Sequence, residues 1–372
     1  MGFKSLFQRL KVVFRVAPSQ NAPPNPKPKK QKKPKRPPPA SASPNPEITI
    51  TAPTPTHAQP PKSPLVRPKY NPEECTFAKL QGKTVAKAPG QITSDTPFTI
   101  EDCEDSNIFI LTPTAQVTID CVKRCFIFIA PCDGSVFIRD AEECTFVVAS
   151  RQFRVRDARA LHISLYAATQ PVIETSRHVR FSCFRYVYAG LADQFAGTKL
   201  PLLLNEWSNI YDFSATKGDN WALEPQLDPT TYPAPPPDTV TPDWDAPNVV
   251  PHTLGALPRS KNGSMILLSF TTPSTTAEML RRLRGHITIV QIRERAYSES
   301  DVPLLFGHIT DTDVLRLVKQ KGRCIAAELE GTETNALLLL ENSRPPLADL
   351  HCIYFSRSRE SASKELRLFF GG

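Results

Sequence analysis

Between Thr99 and Phe184 the chain repeats itself at a very short period. Asp102, Asp120, Asp140, Asp157 and Ser176 recur at intervals of 18, 20, 17 and 19 residues, and four of them precede a small or sulfur-bearing residue: Cys103, Cys121, Ala141 and Ala158. A unit of this length holds two short strands and their turns but leaves no room for a helix, so each unit must bury its apolar side by stacking on the next. Two series of β-forming runs fit that requirement. The first is Ile108–Ile110, Phe126–Ile129, Phe146–Val148 and Ile163–Leu165; the second is Val117–Ile119, Val136–Ile138, Phe153–Val155 and Pro171–Ile173. The pattern predicts a right-handed parallel β-helix, with aliphatic and cysteine side chains in inward ladders and the aspartates at the corners. An open solenoid needs a cap. The aromatic stretch from Phe181 to Trp221, with Trp207, Tyr211 and Phe213, is available to provide one.

At 372 residues the chain exceeds one ordinary core, and proline marks the divisions. Seventeen of 38 prolines precede Tyr70 and ten more fall between Pro225 and Pro258; such runs lack N–H donors and fix φ, which predicts a disordered tail over 17–70 and a linker over 225–261. The first 70 residues carry 14 Lys and Arg against the single acid Glu47, so the net +8 divides into about +13 for the tail and about −5 for the remainder. A β-helix domain is therefore expected over 71–224 and a second domain over 262–372. In the latter, strands fit Met265–Phe270, Ile287–Ile292, Cys324–Leu329 and Ile353–Phe355, and helices fit Thr275–Arg284, Asp311–Lys319, Thr334–Glu341 and Ala362–Phe370. That alternation predicts a smaller α/β domain with a ferredoxin-like core.

In residues 1–16, Phe3, Leu6, Phe7, Leu10, Val13 and Phe14 fall on one helical face, with Lys4, Arg9, Lys11 and Arg15 largely elsewhere. Such a stripe suits the headgroup boundary of an anionic membrane, reinforced by the Lys27–Arg36 cluster. A mitochondrial presequence or a solvated basic tail has the same composition. Nucleic-acid binding is not expected, because neither interleaved aromatics nor a reading module accompanies the cations. No run approaches 18 uninterrupted apolar residues, so any membrane contact is expected to be peripheral. Nine scattered cysteines without a secretory signal suggest a reducing compartment and buried free thiols. Cys121 and Cys125 have a CxxxC spacing without a second ligand pair, so no metal site is expected.

Chemistry centres on Arg151-Gln152-Phe153-Arg154-Val155-Arg156-Asp157. If Phe153 and Val155 point inward, strand alternation sends Arg154 and Arg156 outward, where the neighbouring repeats place Thr118 and Phe137. A solvated charge cluster would give the same pattern, and the residues alone leave that open.

The segment Asp102–Phe213 resembles the tubulin cofactor C domain family, through the runs GSVFIRD (134–140), QFRVRDAR (152–159), ATQPVIE (168–174), SCF (182–184) and WSNIYDF (207–213), which stand in the family's order and spacing. The resemblance implies a GTPase-activating protein rather than an enzyme with its own substrate. Arg154 would be an arginine finger inserted into a small Arf-like GTPase of the Arf-like 3 type in its GTP state. GTP and Mg²⁺ would come with the partner, and the chain would need no cofactor of its own. Gln152 would hydrogen-bond near the nucleotide, with Gly134, Ser135, Arg151 and Phe153 also against it. Glu174 would orient the finger or meet the partner, unless it forms a corner salt bridge. Arg156 and Phe213 would lie at the interface, unless Phe213 packs in the cap. Arg151 stands where the family commonly has glutamine. The second domain resembles a nucleoside-diphosphate-kinase-like domain. His286, His308 and His351 lack the NxxH-type context of a phosphorylated histidine, so it is expected to be catalytically silent. The same resemblance implies membrane and ciliary or flagellar trafficking of lipidated cargo, at the cytoplasmic face of the plasma membrane. Gly2 would be an acylation candidate, with Phe3, Leu6, Phe7, Leu10 and Lys11 as a second membrane signal. Two alternatives remain: a tubulin-folding cofactor acting on tubulin, and a non-catalytic scaffold.

Overall fold

The computed structural model describes residues 70–372 apart from 217, 260–262, 284–285, 332–335, 337–338, 343–349, 357 and 371–372. The predicted amphipathic segment, with Gly2, Phe3, Leu6, Phe7, Leu10 and Lys11, and the proline-rich tail up to residue 69 lie outside the described residues.

The repeat forms a parallel β-helix. Its strands are β1 (Thr76–Ala78), β2 (Thr84–Lys87), β3 (Pro97–Glu104), β4 (Asn107–Ile110), β5 (Gln116–Lys123), β6 (Phe126–Glu142), β7 (Thr145–Arg156), β8 (Arg159–Ala167), β9 (Val172–Glu174), β10 (Arg177–Cys183), β11 (Tyr211–Asp212) and β12 (Trp221–Leu223). Each named strand pair is parallel, so equivalent residues of successive coils stack in register. Ile100, Ile119, Ile138, Val155 and Ile173 form one inward ladder. Ile108, Ile127, Phe146, Ile163 and Phe181 form another.

The coils turn at paired left-handed residues three apart: Lys79 and Gly82, Asp102 and Asp105, Cys121 and Arg124, Asp140 and Glu143, Asp157 and Ala160, Thr175 and His178. The predicted corners Asp120 and Ser176 are thus each displaced by one residue. What stays in register is the inward residue after the corner, namely Cys103, Val122, Ala141, Ala158 and Ser176, all buried; matching aspartates puts the second and fifth corners one position off. Each non-glycine left-handed residue costs about 1 kcal/mol or more, and hydrogen bonds between coils offset it. The corner N–H groups of Asp105, Arg124, Glu143 and Asp157 donate to carbonyls of the following coil at 2.9 to 3.1 Å. Inward Ser and Cys residues satisfy the adjacent backbone: Ser176 Oγ donates to Glu174 O at 2.8 Å and accepts from Ala158 N at 3.2 Å. Cysteine at such positions serves as a small, weakly polar core residue, and eight of the nine thiols are buried, with Cys121 the exception.

Trp207 closes the interior cluster, as expected of a cap. Tyr211 and Phe213 do not take part in it. They extend the second strand series on the outside and are 47% and 63% exposed. The other aromatics after the β-helix cover an outer face instead. Tyr186, Tyr188, Phe195 from the short helix α1 (Leu191–Gly197), and Tyr232 pack with Phe109, Phe128 and Val147. The proline-rich stretch begins as part of that cover rather than as a free spacer: Tyr232, Val249 and Val250 are buried, and Asn248 Nδ2 donates to Phe184 O at 2.7 Å.

The second domain comprises β13 (Ser264–Ser269), α2 (Pro273–Leu283), β14 (Thr288–Ala296), α3 (Val302–Phe306), α4 (Thr312–Lys321), β15 (Arg323–Glu330), β16 (Ile353–Phe355) and α5 (Arg359–Phe370). The sheet runs β14-β15-β13-β16 with antiparallel neighbours, the ferredoxin-like order. Part of the predicted helix over 334–341 lies outside the described residues. Its Ala336 and Leu340 join Ala277 and Leu280 of α2 in one buried cluster, and α3, α4 and α5 contribute Phe306, Val318 and Phe369 to another. The helix α3 is not legible as a separate element, because its five residues make less than two helical turns and cannot repeat an amphipathic pattern.

Candidate functional site

The second strand series presents an outward surface in which Thr118, Phe137, Arg154 and Val172 are each paired with a strand on both sides, and Tyr211 with one. One row across it reads Thr118, Phe137, Arg154, Val172, Tyr211. Two residues along, a parallel row reads Asp120, Arg139, Arg156, Glu174, and Phe213 follows beside it through its N–H to Ile173 O at 2.9 Å. On the other side of Arg154, Gln152 pairs in register with Ser135. Coils about 4.8 Å apart therefore bring Gln152, Arg154, Arg156, Glu174, Tyr211 and Phe213 into one area.

Arginines around this surface are mostly spoken for. Arg124 bonds Asp105 (2.6 Å), Arg139 bonds Asp120, Arg151 bonds Asp133, Arg156 bonds Asp157 (2.9 Å) and Arg159 bonds Glu142. Four of those five acids lie 17 to 19 residues before their arginine, which is one coil. Arg154 has Phe137 one coil before it and Val172 one coil after, so no acid is in place to hold it. Its side chain is exposed and makes no hydrogen bond or ion pair among the described residues. Phe137 and the Tyr211–Phe213 edge contact, with ring centroids 4.6 Å apart, flank it with apolar surface.

Gln152 is exposed, and its Oε1 accepts from Ser135 Oγ at 2.9 Å, which fixes the amide on the same surface as Arg154. Gly134 has a steric reason to be glycine, since a Cβ there would lie well inside 3.0 Å of the Ala115 carbonyl oxygen. Phe153 differs from its predicted place beside a nucleotide: its side chain is fully inside the solenoid, edge-on to Phe181, because alternation on β7 turns it inward. Arg151 also differs, being tied within the chain. Its Nε donates to Asp133 O at 2.7 Å, and its Nη2 bonds Asp133 Oδ1 and Lys199 O, the latter at 3.1 Å. Glu174 is exposed, with neither the corner salt bridge nor a bond to Arg154 among the described residues.

Thiol chemistry lies elsewhere. Burial pushes the Cys183 thiol up to about 11. Cys144 is likewise raised, by its contact with Cys125 and then by burial. Asp120, Cys121 and Asp140 bring three potential ligand atoms together at one corner, but Asp120 is already engaged by Arg139. In the second domain, His308 Nε2 bonds the buried Glu365 at 2.8 Å, and Tyr354 OH donates to the same oxygen at 2.9 Å. His286 and His351 are exposed.

A parallel β-helix with this outward row defines a tubulin cofactor C type of domain. The family described as Tubulin binding cofactor C matches residues 95–213. Over 319 residues the chain is 34% identical to Protein XRP2 of Xenopus laevis, covering 82% of this chain and 88% of that one, and 33% identical to Protein XRP2 of Homo sapiens, covering 82% and 89%. Tubulin-folding cofactor C of Arabidopsis thaliana is 30% identical over 132 residues, 35% of this chain and 38% of that one. The chain therefore belongs to the XRP2 family, the retinitis pigmentosa 2 branch of the tubulin cofactor C domain proteins.

Proposed function

We propose that the chain activates GTP hydrolysis by a small Arf-like GTPase of the Arf-like 3 type, with Arg154 as an arginine finger. The observation that carries the reading is that Arg154, alone among the arginines of β6 and β7, stands exposed and unpartnered on a rigid β surface. During phosphoryl transfer, charge spreads over the γ-phosphoryl oxygens and the β–γ bridge. A guanidinium offers permanent charge and a planar fork of donors to those oxygens. An arginine already held by a carboxylate would have to break that bond first, and Arg154 has none to break. Gln152, fixed by Ser135, supplies an amide beside it. Phe137, Tyr211 and Phe213 give the apolar rim that excludes water around such a charge, and Arg156 and Glu174 offer complementary charges at the edge.

On this reading GTP and Mg²⁺ arrive with the partner and the chain uses no cofactor of its own. The second domain is read as performing no phosphoryl transfer, since His286, His308 and His351 all lack the NxxH-type context of a phosphorylated histidine. Residues 1–16, through Gly2 and the Phe3–Phe14 stripe, would hold the protein at the cytoplasmic face of the plasma membrane near a cilium or flagellum, where it would act in release of lipidated cargo. Deleting residues 1–16 should then release the protein from membranes.

The test is single-turnover GTP hydrolysis by Arf-like 3 type GTPases, with wild type against Arg154→Ala. Arginine fingers contribute about 10³ to 10⁵ in rate. The variant should therefore bind yet fail to accelerate hydrolysis, with its circular dichroism unchanged because the Arg154 side chain makes no hydrogen bond or ion pair among the described residues. If wild type binds without accelerating hydrolysis, the chain is a scaffold. If only tubulin responds, the relatives named as tubulin-folding cofactors give the better account.

A further inference from the structure

We infer that Arg151 is a positioning residue for the activation reaction, acting through Asp133 and Ser135 on Gln152; this rests on the function proposed above. Two departures from regularity meet at this point. The ladder between β6 and β7 shifts register between Ile129 and Cys132 and again between Cys132 and Ser135. The segment carrying Asp133, Gly134 and Ser135 is therefore a bulge, where the regular ladder to β7 is interrupted. The Arg151 guanidinium fills that gap. Its Nε donates to Asp133 O at 2.7 Å, one Nη2 bond goes to Asp133 Oδ1, and a second goes to Lys199 O at 3.1 Å, beyond the end of α1.

One side chain thus ties the bulge to β7 and both to the loop after α1. Two residues past Asp133, Ser135 Oγ donates to Gln152 Oε1 at 2.9 Å. Gln152 follows Arg151 directly and shares the outward face with Arg154. The planar fork of arginine suits this bridge, because its donors diverge in one plane toward a carboxylate and two carbonyls. With three bonds made inside the chain, Arg151 supports the reacting surface rather than touching the nucleotide.

The experiment uses the full chain and an Arf-like 3 type GTPase, measuring the maximal single-turnover rate and the dissociation constant separately. Loss of alignment by about 1 Å is worth up to a hundredfold in rate. Arg151→Ala should lower the maximal rate roughly tenfold to a hundredfold while the dissociation constant stays within about threefold. Asp133→Ala should lose part of the same effect, and adding it to Arg151→Ala should lower the rate no further. Arg151→Lys should restore only part of the rate. Arg151→Gln, which keeps an amide donor, replaces the alanine variant if that one does not fold. A dissociation constant raised tenfold or more with the maximal rate kept would overturn the inference, since Arg151 would then be a direct contact. Additive losses in the double variant would overturn it too. If Arg154→Ala also leaves the rate unchanged, it is the finger assignment that has failed.

Discussion

Gly134→Ala isolates what close packing between coils contributes to the candidate site. Gly134 has no positive φ, so alanine meets no backbone strain and the effect is steric alone. Its Cβ would meet the Ala115 carbonyl oxygen well inside 3.0 Å, and its distance to the Ala115 carbonyl carbon would be 3.3 Å. Relief requires a backbone shift of about 1 Å, to reach ordinary contact, and neither neighbour is a flexible side chain. The movement falls on two hydrogen bonds between coils, Asp133 N to Thr114 O and Ala115 N to Thr96 O, each 3.0 Å. With about 1 kcal/mol net for each weakened bond and about 1 to 3 kcal/mol for overpacking, the variant should lose roughly 3 to 5 kcal/mol of unfolding free energy. Urea denaturation followed by circular dichroism reads that loss. The same shift displaces Ser135 and its bond to Gln152, so on the proposed function GTPase activation should fall by up to about a hundredfold in the molecules that remain folded. A variant within about 0.5 kcal/mol of wild type would show that the bulge relaxes freely. The placement of Ser135 and Gln152 would then not depend on the coil beneath.

Two further perturbations probe the rest of the molecule. Cys121 is the one exposed cysteine of nine; a maleimide should label one thiol in the native chain and nine after denaturation, and a second native site would contradict the inward ladders. Partial burial and the carboxylates of Asp120 and Asp140 push the Cys121 thiol up, so native labelling should be slower than for a free cysteine at the same pH. Glu278 is held below its ordinary value of 4.5 by hydrogen bonds from Arg281 and Arg282. Its folded form therefore binds fewer protons than the unfolded chain as pH falls from that value. The stability it contributes is present above pH 4.5 and lost as pH falls through the lower folded value. Glu278→Gln should be less stable than wild type near neutrality, with a difference that closes below pH 4.5 in urea titrations. A gap that persists there would assign the effect to packing.

The β-helix was legible because a period of about 18 residues leaves one architecture, and because β strands place alternate residues on opposite faces. Strand positions in both domains follow from that alternation and from the spacing of apolar runs. The corners were misplaced by one residue at Cys121 and Thr175. There the identity of the corner residue varies, whereas the small inward residue after it is fixed by lack of space inside the coil. Proline content misled at residues 225–250: absence of N–H donors excludes regular strands but does not prevent Tyr232 and Val250 from packing against an existing surface.

The candidate site shows the same division. Alternation alone sends Arg154 outward, and arithmetic at one coil's spacing accounts for its freedom. Arg124, Arg139, Arg151 and Arg159 each have an acid one coil earlier, while Arg154 has Phe137 there and Val172 one coil later. Applied to Arg151, that arithmetic finds Asp133, and so separates the bound Arg151 from the unpartnered Arg154 within a single tetrapeptide. What it does not find is the Lys199 carbonyl, which reaches the site through a loop outside the repeat; the Ser135–Gln152 bond, 17 residues apart, falls within the one-coil spacing. A solenoid makes contacts between coils readable from sequence spacing. The contacts that adjust a site on its surface come from the irregular segments, such as the loop carrying Lys199, whose place in the fold no spacing specifies.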